Sequence, residues 1–132
     1  MQQENSNISI LLVEDNTSLR QELSDFLRDE GFKVASASDG VEMNFALEQF
    51  VPNIVILDLN LPGEDGMSIA KRLRSALPDI GLIMLTARIR SSDRNEGYAS
   101  GADVYLTKPT VPEELVHVVR NLNRRLKPTL GL

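Results

Sequence analysis

Five short apolar runs alternate with amphipathic segments along this chain, and that rhythm constrains the fold more than any other feature. Ile8–Val13, Phe32–Ala37, Ile54–Leu57, Ile80–Leu85 and Val104–Leu106 have the length and the branched aliphatic content of strands. Between them, apolar residues recur at helical spacing. The first such segment runs from Asn16 or Thr17 to Glu30, with Leu19, Leu23, Phe26 and Leu27 as its apolar set and Gly31 placed as a C-cap. Val41–Phe50 reads as a second helix, with Val41, Phe45, Leu47 and Phe50 partly on one side and Pro52 ending it. Ser68–Leu77, Ser92–Ser100 and Pro112–Leu126 complete the helices. Pro112 suits a first helical turn, and Leu115, Val118, Val119 and Leu122 share a face. The alternation predicts an α/β fold, a single doubly wound (βα)5 domain whose parallel sheet is covered on both faces.

In such sheets ligands sit beyond the carboxyl ends of the strands, so the residues just after each strand matter most. These are Glu14-Asp15-Asn16, Asp58-Leu59-Asn60-Leu61-Pro62-Gly63, Thr86-Ala87 and Thr107-Lys108-Pro109. Together they put three carboxylates, a hydroxyl and a lysine on one rim. Clustered carboxylates repel and raise one another's pKa. A hard divalent cation relieves that repulsion, and oxygen-only ligands favour Mg²⁺ over zinc, with Mn²⁺ as a substitute. A carboxylate beside such a cation can attack phosphorus and form an acyl phosphate. Lys108 would neutralise phosphoryl oxygens and the Thr86 hydroxyl would donate to one of them, which is most of what phosphoryl transfer needs.

Composition removes the competing chemistries. The 132 residues contain no cysteine, so disulfide scaffolds, thiolate zinc sites and thiol catalysis are excluded. The single histidine, His117, excludes a multi-histidine metal site, and it is expected on the exposed side of the last helix with no function. Fourteen basic against nineteen acidic residues give a net charge of −5, which argues against direct nucleic-acid binding. No stretch has a signal-peptide pattern or the length of a membrane span, so a cytoplasmic location with no membrane contact is expected. Residues 1–7 read as a flexible tail, 8–126 as the domain, and 127–132 as the start of a linker or a C-terminal tail.

From about Ile8 to Arg125 the chain resembles the receiver domain of bacterial two-component response regulators. The resemblance rests on Leu11-Leu12-Val13-Glu14-Asp15, Asp58 to Gly66, Leu85-Thr86-Ala87, Gly101-Ala102-Asp103, Tyr105-Leu106 and Lys108-Pro109, in order at the strand ends. It implies a flavodoxin-like sheet in the order 2-1-3-4-5. It also implies that Asp58 is the phosphoacceptor, that Glu14 and Asp15 hold Mg²⁺ with Asp58, and that Asn60 gives the metal its backbone carbonyl. Lys108 is then the phosphate-binding lysine, with a Lys108–Pro109 bond that is often cis in the family. Thr86 and Tyr105 form the switch pair, with plain packing an equal alternative for Tyr105. The implied phosphodonor is the phosphohistidine of a sensor histidine kinase. On phosphorylation Thr86 would swing toward the phosphoryl group and Tyr105 would rotate inward, reshaping the face of the fourth helix, fifth strand and fifth helix.

That face carries a further resemblance, to the subfamily with a winged-helix DNA-binding domain, which dimerises there through salt bridges. Arg94 and Glu114 match one pair, and Asp103 and Arg125 another; Val104 and Val118 stand where a third is expected. DNA contact would come only through an output domain attached after the tail, for transcriptional control. A stand-alone receiver acting on a protein partner is the alternative. A haloacid-dehalogenase-like phosphatase is disfavoured, because that family wants an aspartate where Asn60 stands. A flavodoxin-like cofactor site is disfavoured by the acidic first loop, which repels phosphate without a metal. The complete acid, hydroxyl and lysine set argues against a receiver that works unphosphorylated. Asp65 reads as a turn residue or as a support for the helix at Gly66, with the turn favoured.

Overall fold

The computed structural model describes residues 8–87, 95, 96 and 98–126. The expected tail (1–7), the linker (127–132) and the start of the fourth predicted helix, Ser92–Arg94, lie outside these residues.

Strands β1 (Ser9–Val13), β2 (Lys33–Ala37), β3 (Ile54–Asp58), β4 (Gly81–Thr86) and β5 (Val104–Thr107) form one sheet in the order β2-β1-β3-β4-β5. Every pairing is parallel. Helices α1 (Thr17–Asp29), α2 (Gly40–Gln49), α3 (Gly66–Ala76) and the last helix, Pro112–Leu126, follow β1, β2, β3 and β5. In the β4–β5 connection, residues 95, 96, 98 and 99 are helical. Among the described residues no helix is long and apolar enough to cross a membrane.

Successive strand side chains point to opposite faces, and the central strands supply two apolar layers. Leu11, Val13, Val55, Leu57, Leu82 and Met84 pack under α2 and α3. Ile10, Leu12, Ile54, Ile56, Ile83 and Leu85 pack under α1 and the last helix. All are buried. This is why Ile54–Leu57 in β3 and Leu82–Leu85 in β4 are apolar without a break: neither face meets water. Each such side chain contributes about 1.5–3 kcal/mol of burial free energy.

Three helices begin on a side-chain cap. Asn16 accepts from Leu19 N at 2.8 Å, Asp39 from Glu42 N at 2.9 Å and Asp65 from Ser68 N at 3.3 Å. Asp65 thus takes the helix-supporting role rather than the favoured turn role, and α3 starts at Gly66 rather than Ser68. Gly66 is required by space: a Cβ there would lie 2.7 Å from Leu59 Cα. In α2 the inward residues are Met43, Ala46 and Leu47, at i, i+3 and i+4, joined by Phe50 at the C-cap. The expected face was wrong in part, since Val41 and Phe45 are 64% and 63% exposed. Gly31 has φ +101°, as a helix-ending glycine should.

Candidate functional site: an acidic rim at the carboxyl ends of the strands

Strand register builds the site. Asp58 ends β3, opposite Leu85 in β4, and Leu59 N donates to Leu85 O at 3.0 Å. Thr86 and Thr107 end β4 and β5 side by side. The Thr86 carbonyl accepts from Lys108 N at 2.7 Å, which turns the lysine back toward the rim. The Lys108–Pro109 peptide bond is cis, as the resemblance implied. Glu14 N continues the β1–β2 ladder by donating to Ala37 O at 3.0 Å. Thus Glu14, Asp58, Thr86 and Lys108 emerge from adjacent strands at one level.

The acids converge. Glu14, Asp15 and Asp58 each offer a carboxylate oxygen, and the three lie within 4.8 Å of one another. Glu14 and Asp58 are buried while Asp15 is exposed. Lys108 Nζ stands 3.1 Å from Glu14 Oε1 and 3.3 Å from Asp58 Oδ2. The other oxygens are held by backbone: Asn16 N donates to Glu14 Oε2, and Asn60 N to Asp58 Oδ1, both at 3.1 Å.

Burial pushes the Glu14 carboxyl above its ordinary value, and the nearby Asp58 charge adds to this; hydrogen bonds from Asn16 N and Lys108 offset only part of it. For Lys108, burial acts to lower the pKa, but the Glu14 hydrogen bond and the Asp58 and Glu14 charges outweigh it and hold the ammonium above its usual value. One lysine thus faces three acids. The set is all oxygen and keeps a surplus of negative charge, so it fits a hard divalent cation such as Mg²⁺. Beside Lys108 opens a groove of about 490 Å³, lined by Leu19, Leu23, Leu85 and Pro109 among others.

The remaining predicted residues divide. Thr86 is fully buried at the rim. Tyr105 is buried already, in the layer that holds Met67, Met84 and Ala102, its ring 6.2 Å from that of Tyr98. On the predicted dimer face, Val104 and Val118 are half-buried against the second apolar layer, and Glu114 and Arg125 are exposed. Arg94 lies outside the described residues. Asp103 is exposed and is engaged within its own chain: its Oδ2 accepts from Leu82 N and from Arg74 Nη2, both at 2.8 Å. His117 is exposed, as expected.

Arg74 and Arg20 are among the arginines to which the sequence alone assigned no role. Arg74 donates to the carbonyls of Pro78, Ile80 and Gly101 as well as to Asp103, and so fastens α3 to the edge of β4 and the turn before β5. Gly101, at φ +112°, lets that side chain pass: a Cβ would meet Arg74 Cβ at 3.0 Å. Arg20, in the first turn of α1, donates from Nη1 to Glu14 O at 2.9 Å and Asp15 O at 3.4 Å. Helical side chains lean toward the N-terminus, so an arginine six positions after an acid at a strand end was a readable signal.

A parallel (βα)5 sheet with three carboxylates and a lysine at its carboxyl rim is the build of a signal-receiving domain, and known proteins agree. Residues 10–120 match the response regulator receiver domain, and the chain belongs to that family, the receiving module of two-component systems. It is 42% identical over 116 residues to the virulence transcriptional regulatory protein PhoP of Salmonella typhimurium, a match covering 88% of this chain. The chain spans about half (52%) of that relative's length. Among solved structures it is similar to the receiver domain of the Francisella response regulator 1452, with a TM-score of 0.85 at 30% identity, covering 92% of this chain and 100% of that one. It is also similar to the Vibrio cholerae chemotaxis protein CheY4, with a TM-score of 0.81 at 32% identity, covering 87% and 98%.

Proposed function

We propose that this domain accepts a phosphoryl group on Asp58 from the phosphohistidine of a sensor histidine kinase, in the cytoplasm, and passes the signal on as a change of packing. The observation that carries this reading is the convergence of Asp58, Glu14, Asp15 and Lys108 within hydrogen-bonding or metal-sharing reach. Glu14, Asp15, Asp58 and the Asn60 backbone carbonyl would hold Mg²⁺ or Mn²⁺, whose charge would offset that of the phosphoryl oxygens.

The chain's own residues do the rest. Asn60 N fixes one Asp58 oxygen, leaving the carboxylate oriented for attack. An Asp58 oxygen forms a bond to phosphorus as the phosphorus–nitrogen bond breaks, and the electron pair leaves with the imidazole nitrogen. The Lys108 ammonium, held protonated by its acidic neighbours, neutralises the transferred oxygens. The Thr86 hydroxyl donates to one of them. With Asn60 where a phosphatase would need a second acid, the role is regulatory rather than that of a turnover enzyme.

Thr86 and Tyr105 then act as the switch. Tyr105 is buried beside Met84 and Ala102, which supports an inward packing that phosphorylation would favour. Likeness to a transcriptional regulator of about twice the length supports an attached DNA-binding output domain. A dimer through the fifth-strand face would use Arg94, Asp103, Val104, Glu114, Val118 and Arg125, with Asp103 also holding Arg74 within its own chain.

The test is to incubate the chain with acetyl phosphate, with Mg²⁺ and with chelator, and to follow intact mass. A base-labile adduct of one phosphoryl group, formed only with Mg²⁺, is expected. No adduct in Mg²⁺ would overturn the reading.

A further inference from the structure

Glu14 and Asp15 are consecutive residues leaving a strand, and consecutive side chains in extended backbone diverge. Yet both carboxylates reach one cluster with Asp58. The peptide planes that follow them must therefore be set, and one group reaches both. Arg20 Nη1 donates to Glu14 O at 2.9 Å and to Asp15 O at 3.4 Å, while Arg20 N donates to Asn16 O at 2.8 Å. Glu14 has further anchors in Ala37 O, Asn16 N and Lys108. Asp15 has an exposed side chain, and among the described residues the Arg20 contact is the one hydrogen bond that reaches it.

We infer that Arg20 is a positioning residue for the acidic pair, tying both carbonyls to α1 so that the Asp15 carboxylate is held at the spacing a divalent cation requires. This rests on the proposed Mg²⁺-dependent phosphoacceptor reading and deepens it.

Charge and positioning predict opposite signs. A guanidinium beside a cation site repels the cation, so if charge were its whole effect, removing it would tighten Mg²⁺ binding. If Arg20 positions the acids, removing it weakens binding, as losing the partner of a metal ligand does, by about tenfold. Lysine keeps the charge but lacks the fork that spans two carbonyls.

The experiment measures Mg²⁺ affinity by calorimetry on chelator-stripped full chain, for the parent, Arg20→Met and Arg20→Lys. Thermal melts in chelator report the metal-free fold. Weaker binding in both variants, by about tenfold in Arg20→Met, supports the inference. Equal or tighter binding in a folded Arg20→Met, or full affinity in Arg20→Lys, overturns it. A lowered melting temperature with unchanged affinity would mark Arg20 as merely structural and also overturn it. Should Arg20→Met fail to fold, Arg20→Lys decides by the same criterion. If the parent itself binds no Mg²⁺, the phosphoacceptor reading fails first, and that outcome is distinct from a parent that binds and variants that bind equally well.

Discussion

The middle of the sheet and its carboxyl rim lie a few residues apart on the same strands and obey opposite rules. Through β3, Ile54 to Leu57 are wholly buried and face apolar partners on both sides. One residue on, Asp58 is just as buried, but it shares its space with Glu14, Asp15 and one lysine. In the middle every local preference agrees with the fold, which is how a sequence specifies one structure. At the rim the chain keeps like charges together at a cost in stability, and such conflict concentrates at functional sites. The difference predicts that truncations in the middle destabilise, whereas removing a carboxylate charge from the rim stabilises the metal-free chain and destroys its function.

The largest effect belongs to the middle. Leu57→Ala, within the layer under α2 and α3, should cost about 3 kcal/mol of unfolding free energy in urea titration. A loss well under 1 kcal/mol would mean that the site collapses around the gap and is less tightly packed than its burial indicates. Gly66→Ala sits at the join between the two regions. Its new methyl would press on the Leu59 backbone, one residue from Asp58, and should cost about 2 kcal/mol. It should also weaken Mg²⁺ binding, and an unchanged affinity would show that the rim is mechanically independent of the α3 start.

Asp58→Asn tests the sign. It removes one of three converging carboxylates, and without metal the variant should be more stable than the parent by about 1 kcal/mol. Destabilisation instead would mean that the Lys108–Asp58 attraction outweighs the repulsion among the acids. A smaller effect comes from pH. The folded-state pKa of Glu14 is raised above its ordinary value of 4.5, so the folded chain binds that proton more tightly than the unfolded chain. The contribution to stability is full below the unfolded pKa and is lost as pH rises through the folded one. Comparing metal-free parent and Glu14→Gln across that window should therefore show a gain on acidification in the parent that the variant lacks. The smallest effect is expected at Phe45→Ser on the exposed side of α2, within about 0.5 kcal/mol of the parent.

The two regions also differed in how far they could be read in advance. Apolar runs with strand length placed β1, β3 and β4 to within a residue or so, because burial on both faces keeps polar residues to the strand ends. The last helix fell at Pro112–Leu126, as its proline and apolar face required. Helix α2 was harder. Val41 and Phe45 are four apart and apolar, so they imitate a core face that Met43, Ala46 and Leu47 supply. At the rim, the identities of Glu14, Asp15, Asp58, Thr86 and Lys108 followed from their positions just after strands. Their anchors were less legible: Arg20 had a signal only in its spacing from Glu14, and Arg74 acts through backbone carbonyls, which carry no residue-specific mark. Asp103 shows the consequence. A charge pattern suggested a pairing between copies, and the fold adds a contact within the chain, to Arg74, that the pattern did not show.

The central claim is that Asp58 is the phosphoacceptor at a cation-dependent rim. Fluorine NMR of the chain with Mg²⁺ and beryllofluoride, a phosphoryl mimic, tests it most directly. Slowly exchanging fluorine signals from a bound adduct should appear for the parent, vanish in chelator and be absent from Asp58→Asn. Equal signals from Asp58→Asn, or none from the parent in Mg²⁺, would contradict the account.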